Sequence, residues 1–226
     1  MTGRDKALQR LQLDWWQLLG LLAVVVAIVA IQLSLPDDVT VGPTELVPFI
    51  ELAGIPIILS LSLVTAGGIT YVRWAMDFFL GLIVLATVMN ALLLLWSLLS
   101  GTTESGVALL FAGFGVLIIN VLSFGLVYWW IDGGGPGVRA TGTVAKPDFL
   151  FPQQGMDGMD NWRPTLIDYL FTAYTNIIAF SPTDTMPLTH RVKFLFTVQS
   201  ATALLTIVVT LSRAINLIPG GPTPPS

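Results

Sequence analysis

Long apolar runs alternate with short polar breaks along this chain, and the lengths of the runs carry the first inference. Crossing the hydrocarbon of a bilayer as an α-helix takes about 20 consecutive, mainly apolar residues. Four runs of that size lie at roughly 15–35, 46–67, 75–99 and 106–131. A polar stretch follows at 132–163, opened by Gly133, Gly134, Gly135 and Pro136 and closed by Trp162, Arg163 and Pro164, and it predicts a loop. A shorter apolar piece at about 165–180 and a last long one at about 193–218 complete the pattern, before a Pro/Gly tail over 219–226.

Each run has its own features. No charge interrupts Trp15 to Leu35, the run is too long for a signal-peptide core, and no small-residue cleavage site precedes Pro36, so an uncleaved anchor is expected. The second run holds Glu51 among Pro48, Gly54 and Pro56, which predicts the least regular helix of the set. Asn90 lies in the third and Asn120 in the fourth, which ends in Tyr128, Trp129 and Trp130, an aromatic group suited to headgroup depth. Glu51, Asn90 and Asn120 are candidate buried polar residues. Such groups more often bond one helix to another than bind a transported species.

Composition agrees with the runs: 54% of residues are apolar and 11% charged, as in an integral membrane protein. The absence of cysteine and the single histidine, His190, exclude disulfide scaffolds, thiolate metal sites and multi-His chemistry within the chain. A net charge of −4 offers no basic surface to a phosphate backbone, so the lipid bilayer is the expected partner and nucleic acid is not. Asp168, Asp184 and His190 are conceivable as an acid–base group, but a lone histidine beside basic residues reads better as interfacial. No enzyme, metal or cofactor is expected.

Candidate chemistry concentrates in the short fifth piece. Pro164 suits a first helical turn, and Thr165 with Asp168 has capping-box spacing, so a helix should start there. At 100° per residue Asp168, Thr172, Thr175, Asn176 and Ala179 share a face, while Leu170, Phe171, Tyr174 and Ile178 occupy others. About 16 residues span roughly 24 Å, less than the hydrocarbon thickness of ~30 Å. The piece then meets Ser181, Pro182, Thr183, Asp184, Thr185, Met186 and Pro187, which cannot be helical throughout. Irregular backbone at membrane depth must be buried in protein or line water. The plainer alternative is a short span that ends in a surface turn.

The last run carries a second polar stripe of Gln199, Thr202, Thr206, Thr210, Arg213 and Asn216, which fall within about 80° on a helical projection. Leu205 and Val209 project elsewhere. The stripe could line an aqueous path with Arg213 as an electrostatic barrier. Equally, threonines permit close helix packing while Arg213 snorkels to the interface.

From Asp168 to Ile218 the chain resembles the pore-helix, filter and inner-helix unit of potassium-channel-type pores: a short aromatic-rich helix with threonines, an acid, then Pro187, Thr189, Arg191 and a long closing helix. Where those channels have a Thr-Val-Gly-Tyr-Gly filter, this chain has Ala179-Phe180-Ser181-Pro182-Thr183 before Asp184. The carbonyl cage that dehydrates potassium is therefore not encoded. Pro147-Asp148-Phe149-Leu150-Phe151-Pro152, Asp168-Tyr169, the run Phe180 to Leu188, and Arg213-Ala214-Ile215-Asn216 are together similar to a widespread family of small bacterial multi-span membrane proteins of unknown function. That resemblance implies a fold and a bacterial inner membrane. The channel resemblance implies non-selective conduction of small ions by a homo-oligomer, tetrameric by analogy. Its pore or filter candidates are Asp168, Thr172, Thr175, Asn176, Ser181, Thr183 and Asp184. A non-conducting scaffold or accessory subunit is the alternative.

Basic residues orient the chain, since short loops rich in them stay cytoplasmic. Arg4, Lys6, Arg10, Arg73, Arg139, Lys146 and Arg163 fall on one side of four spans, whereas Asp37, Asp38, Glu45 and Glu104 occupy the other. If 165–180 re-enters rather than crosses, Arg191 and Lys193 join them, which places nine of the ten basic residues in the cytoplasm. The expected fold is all-α, an integral membrane protein of five transmembrane helices plus one short re-entrant or half-span pore-type helix, with six spans as the alternative. It divides into a four-helix membrane domain (1–131), a cytoplasmic loop (132–163), a unit of short helix, irregular loop and final helix (164–218), and a flexible tail (219–226). The N-terminus is expected in the cytoplasm and, if 165–180 re-enters, the C-terminus in the periplasm. A phosphatase fused after Ser226 should be active and a fluorescent protein fused there dark; the opposite pair of results would mean six crossings.

Overall fold

The computed structural model describes residues 15–37, 47–54, 69–100, 106–141, 146–179 and 184–217, with side chains for all of these except 69–72, 106, 140, 141 and 213–217. It is mostly helical. Four long helices follow the apolar runs: α1 (Trp15–Gln32), α2 (Ile69–Ser100), α3 (Gly106–Ile131) and α6 (His190–Leu217). Among the described residues, four segments are long and apolar enough to cross a membrane: Trp15–Gln32, Arg73–Ser100, Val107–Gly134 and His190–Ser212. Two shorter helices, α4 (Pro136–Thr141) and α5 (Leu166–Ile178), lie between α3 and α6. Of the expected span at 46–67, residues 47–54 are helical and the remainder lies outside the described residues.

Helix α3 is the central element, packed against α1, α2, α5 and α6. It runs antiparallel to α6. The pairing is fixed at three heights: Arg191 donates to the Ile131 carbonyl at 3.0 Å, the Asn120 amide reaches the Gln199 carbonyl at 3.4 Å, and Gly113 lies against Thr210. A Cβ at Gly113 would collide with the Thr210 hydroxyl, so the missing side chain is what brings these backbones together. Gly125 plays the same part for α5, since a Cβ there would sit 2.6 Å from Leu170 Cδ2.

The start of α5 follows from its sequence. The Asp168 carboxylate accepts from the Thr165 amide at 2.7 Å and the Thr165 hydroxyl at 2.8 Å, which satisfies donors that a first helical turn leaves open. The helix ends at Ile178, four residues before Pro182, and the Ala179 amide closes on the Thr175 carbonyl at 2.9 Å. Beginning beside Asp132, where the Tyr169 hydroxyl donates to the Asp132 carboxylate, α5 reaches Gln199 with Asn176. Gln199 lies nine residues into α6, roughly 14 Å along its axis. The chain then returns. Thr185 meets Thr172 at 3.3 Å, and β2 (Met186–Pro187) pairs antiparallel with β1 (Phe149–Leu150) back at the Asp132 end.

The stretch at 132–163, expected as a loop, folds onto the end of the bundle. Gly133, Gly134 and Gly135 all have positive φ, a conformation that side chains disfavour, and they turn the chain sharply off α3. Phe149 is fully buried and lies within 6.2 Å, centroid to centroid, of the rings of Tyr128, Phe151, Tyr169 and Phe196. It therefore pins the segment to α3, α5 and α6 together. Phe149→Ala should lower the melting temperature in detergent by roughly 10 °C, at about 3–4 kcal/mol for an emptied aromatic site. Leu150→Ala, at a half-exposed neighbour, should change it little.

Candidate functional site

Two polar centres tie the short helix to the bundle, one inside it and one at its end. The inner centre is Gln199, nine residues into α6 and fully buried. Its Oε1 accepts from the Tyr128 hydroxyl at 2.7 Å and from Asn176 Nδ2 at 2.8 Å, while its Nε2 donates to the Ala173 carbonyl at 3.0 Å. One amide thus binds α3, α5 and α6. Asn176 adds a second bond to α6, at 3.3 Å to the Phe196 carbonyl. Both acceptor directions of the glutamine oxygen are used, so the site is a closed joint within one chain.

Below this joint the threonines of α6 bond to their own helix. Thr202, Thr206 and Thr210 donate to the carbonyls of Val198, Thr202 and Thr206 at 2.8, 2.9 and 2.7 Å, and all three are buried. Each hydroxyl satisfies itself locally and leaves its methyl group for packing. Val209 departs from the helical projection: it is 1% exposed, because α6 packs against α2 as well as α3 and α5 and buries a wider arc than the polar stripe. The Arg213 and Asn216 side chains lie outside the described residues.

The short helix distributes its candidates unevenly. Thr172 and Asn176 are buried, Thr175 is half-buried with its hydroxyl 3.0 Å from the Thr172 carbonyl, and Asp168 is the helix cap. Asp184 is exposed, and Ser181 and Thr183 lie outside the described residues. Of the buried polar residues, Asn120 reaches α6, Glu51 accepts from Gln32 Nε2 at 3.2 Å, and Asn90 is 3% exposed.

At the end of the bundle sits a centre that sequence reasoning did not assemble. Asp148, 1% exposed, accepts from the Thr189 hydroxyl at 2.6 Å, Arg191 Nε at 2.7 Å and the Gly133 amide at 3.1 Å, and it pairs with Arg191 through Nη2. Burial pushes its carboxyl up, yet the bonds from Arg191, Thr189 and Gly133 outweigh burial and hold it below the ordinary carboxylate value. Asp132 accepts the Asp148 amide at 2.7 Å and the Tyr169 hydroxyl, and its carbonyl takes Arg139 Nη1 at 2.6 Å. Arg139 lies 5.1 Å over the Tyr169 ring, and burial lowers its pKa from the usual guanidinium value. The available signal was the placement of the two acids. Asp132 directly follows an aromatic span end, and Asp148 precedes Phe149-Leu150-Phe151, an apolar triplet inside a polar stretch.

Comparison with protein-family models, with curated proteins and with solved structures returns no match to this chain. The joint is therefore tested on its own chemistry. Gln199→Leu removes the acceptor of the Tyr128 hydroxyl and one partner each of the Asn176 amide and the Ala173 carbonyl, and should cost roughly 2–3 kcal/mol, or about 6–9 °C in melting temperature. Asn176→Leu alone should cost less, and the double variant less than the sum, because one shared bond is removed twice. Strict additivity in calorimetry would show that the two amides are not coupled.

Proposed function

We propose that this is a five-span protein of a bacterial inner membrane in which α5 and the segment after it form a re-entrant hairpin, and that it acts as a non-conducting scaffold or accessory subunit. Re-entry is supported by the position of the two ends of the hairpin. Tyr169 bonds to Asp132 as the chain goes in, and β2 pairs with β1, next to Asp148, as it comes out. Between these ends, Ala173 and Asn176 reach the height of Gln199.

The observation that carries the non-conducting reading is that the Gln199 oxygen has both its acceptor directions filled from within the chain, by the Tyr128 hydroxyl and the Asn176 amide. The threonines of α6 donate to their own backbone. In hydrocarbon, bonds like those to Gln199 hold helices together.

A second reading is channel-like conduction of small ions by a homo-oligomer, a tetramer by analogy. It is favoured by the outer face of α5, where Ile167, Phe171, Tyr174 and Ile178 are half or more exposed and available to another copy. Ser181 and Thr183 would then line the path. Purified protein in liposomes, assayed for potassium, sodium and chloride flux, separates the two. We expect leakage equal to that of protein-free liposomes. Flux that rises with protein density and disappears in Asn176→Leu would establish the channel instead.

A further inference from the structure

Glu51 and Gln32 meet side chain to side chain between α1 and the helical stretch 47–54, with exposures of 2% and 1%. Gln32 Nε2 donates to Glu51 Oε1 at 3.2 Å. That bond leaves a particular imbalance: among the described residues Glu51 Oε2 and Gln32 Oε1 are both buried, both acceptors, and both without a partner. Two facing side chains therefore hold two unmatched acceptor oxygens. Leaving each unsatisfied costs far more here than at a surface.

We propose that Glu51 is an intramembrane proton-binding site, with the proton held on Oε2 and shared with Gln32 Oε1. A single proton turns one orphan acceptor into a donor for the other, so both are satisfied at once as a doubly bonded acid–amide pair. It also removes the charge that the surroundings cannot solvate. Beside Glu51 lies a cavity of about 180 Å³ whose other walls are Val47, Ile50, Leu82, Leu85, Ala86 and Met89. None of these is polar.

Among the described residues, the neighbouring elements bring no countercharge: α1 faces Glu51 with Gln32, and α2 faces it with the apolar side chains that wall the cavity. A metal cation is a poor occupant, because sodium- or calcium-like ions take about six or more oxygens and two are on offer. A bridging water that donates to both oxygens is the remaining rival, and it would leave the carboxylate ionised.

Infrared difference spectra of the full-length protein in lipid, wild type against Glu51→Gln, distinguish these. The expected result at neutral pH is a protonated-carboxyl C=O band present in the wild type, absent in Glu51→Gln, and shifted in Gln32→Leu, where its hydrogen-bond partner is lost. A hydrophobic carbodiimide, which reacts with protonated carboxyls in bilayers, should label Glu51 in membranes as seen by mass spectrometry, and the label should fade as the pH is raised. Glu51→Gln, which keeps a donor in the same place, should melt within a few degrees of the wild type. A carboxylate band alone at neutral pH, with no carbodiimide adduct on Glu51, would overturn the proposal in favour of the water-bridged anion. Failure of Glu51→Gln to fold would also count against it, since a neutral acid tolerates replacement by the amide.

Discussion

Every polar group carried into hydrocarbon must find its partner inside the protein, and the buried Gln199 amide is where this chain meets that constraint. The amide of Gln199 donates to the Ala173 carbonyl, and its oxygen collects Asn176 and Tyr128. Because these three bonds join α6 to α5 and α3, the position of α5 along the bundle is set by the height of one side chain on α6. The close approaches at Gly125 and Gly113 let the backbones come near enough for those bonds to form. Without them a glutamine at this height would be an uncompensated polar group.

The end of the bundle near Asp132 is held by a different kind of interaction. Asp148 is buried, while its partner Arg191 keeps 58% of its side chain exposed. Such a pair adds little net stability, because the cost of desolvating the carboxylate offsets most of its attraction to the arginine. Its value is positional. Asp148 reads Thr189, Arg191 and the Gly133 amide simultaneously, so the segment after α3, the residue before α6 and the first turn of α6 can be satisfied in one register only. Phe149, next in sequence, supplies the apolar burial that the ion pair does not.

Much of this was legible in the sequence, and the exceptions share a cause. Apolar run lengths located α1, α2, α3 and α6, and Thr165 with Asp168 marked the start of α5, because those signals are local and depend on the chain's own periodicity. Helical projection likewise placed Thr172 with Asn176 on one face of α5, and Gln199, Thr202, Thr206 and Thr210 on one stripe of α6, and left open whether those faces meet water or protein; all six are buried. What the sequence concealed was pairing over distance. Asp148 looked like a loop acid because its partners lie at Gly133, Thr189 and Arg191, up to 43 residues away. Val209 looked outward because projection gives a direction but not the number of neighbours a helix has.

The threonine stripe shows how one pattern can serve opposite purposes. Threonines at 202, 206 and 210 are what an aqueous path through a helix bundle would require, and equally what two helices require in order to touch. The difference lies in where the hydroxyl proton goes. A water-lining threonine keeps its proton for solvent; these three donate to the carbonyl one turn earlier, at 2.7–2.9 Å. Opposite Thr210 stands Gly113, with no room for a Cβ between them. At that height the threonine closes the space between α3 and α6, and along the stripe each hydroxyl proton is taken up by the helix that carries it.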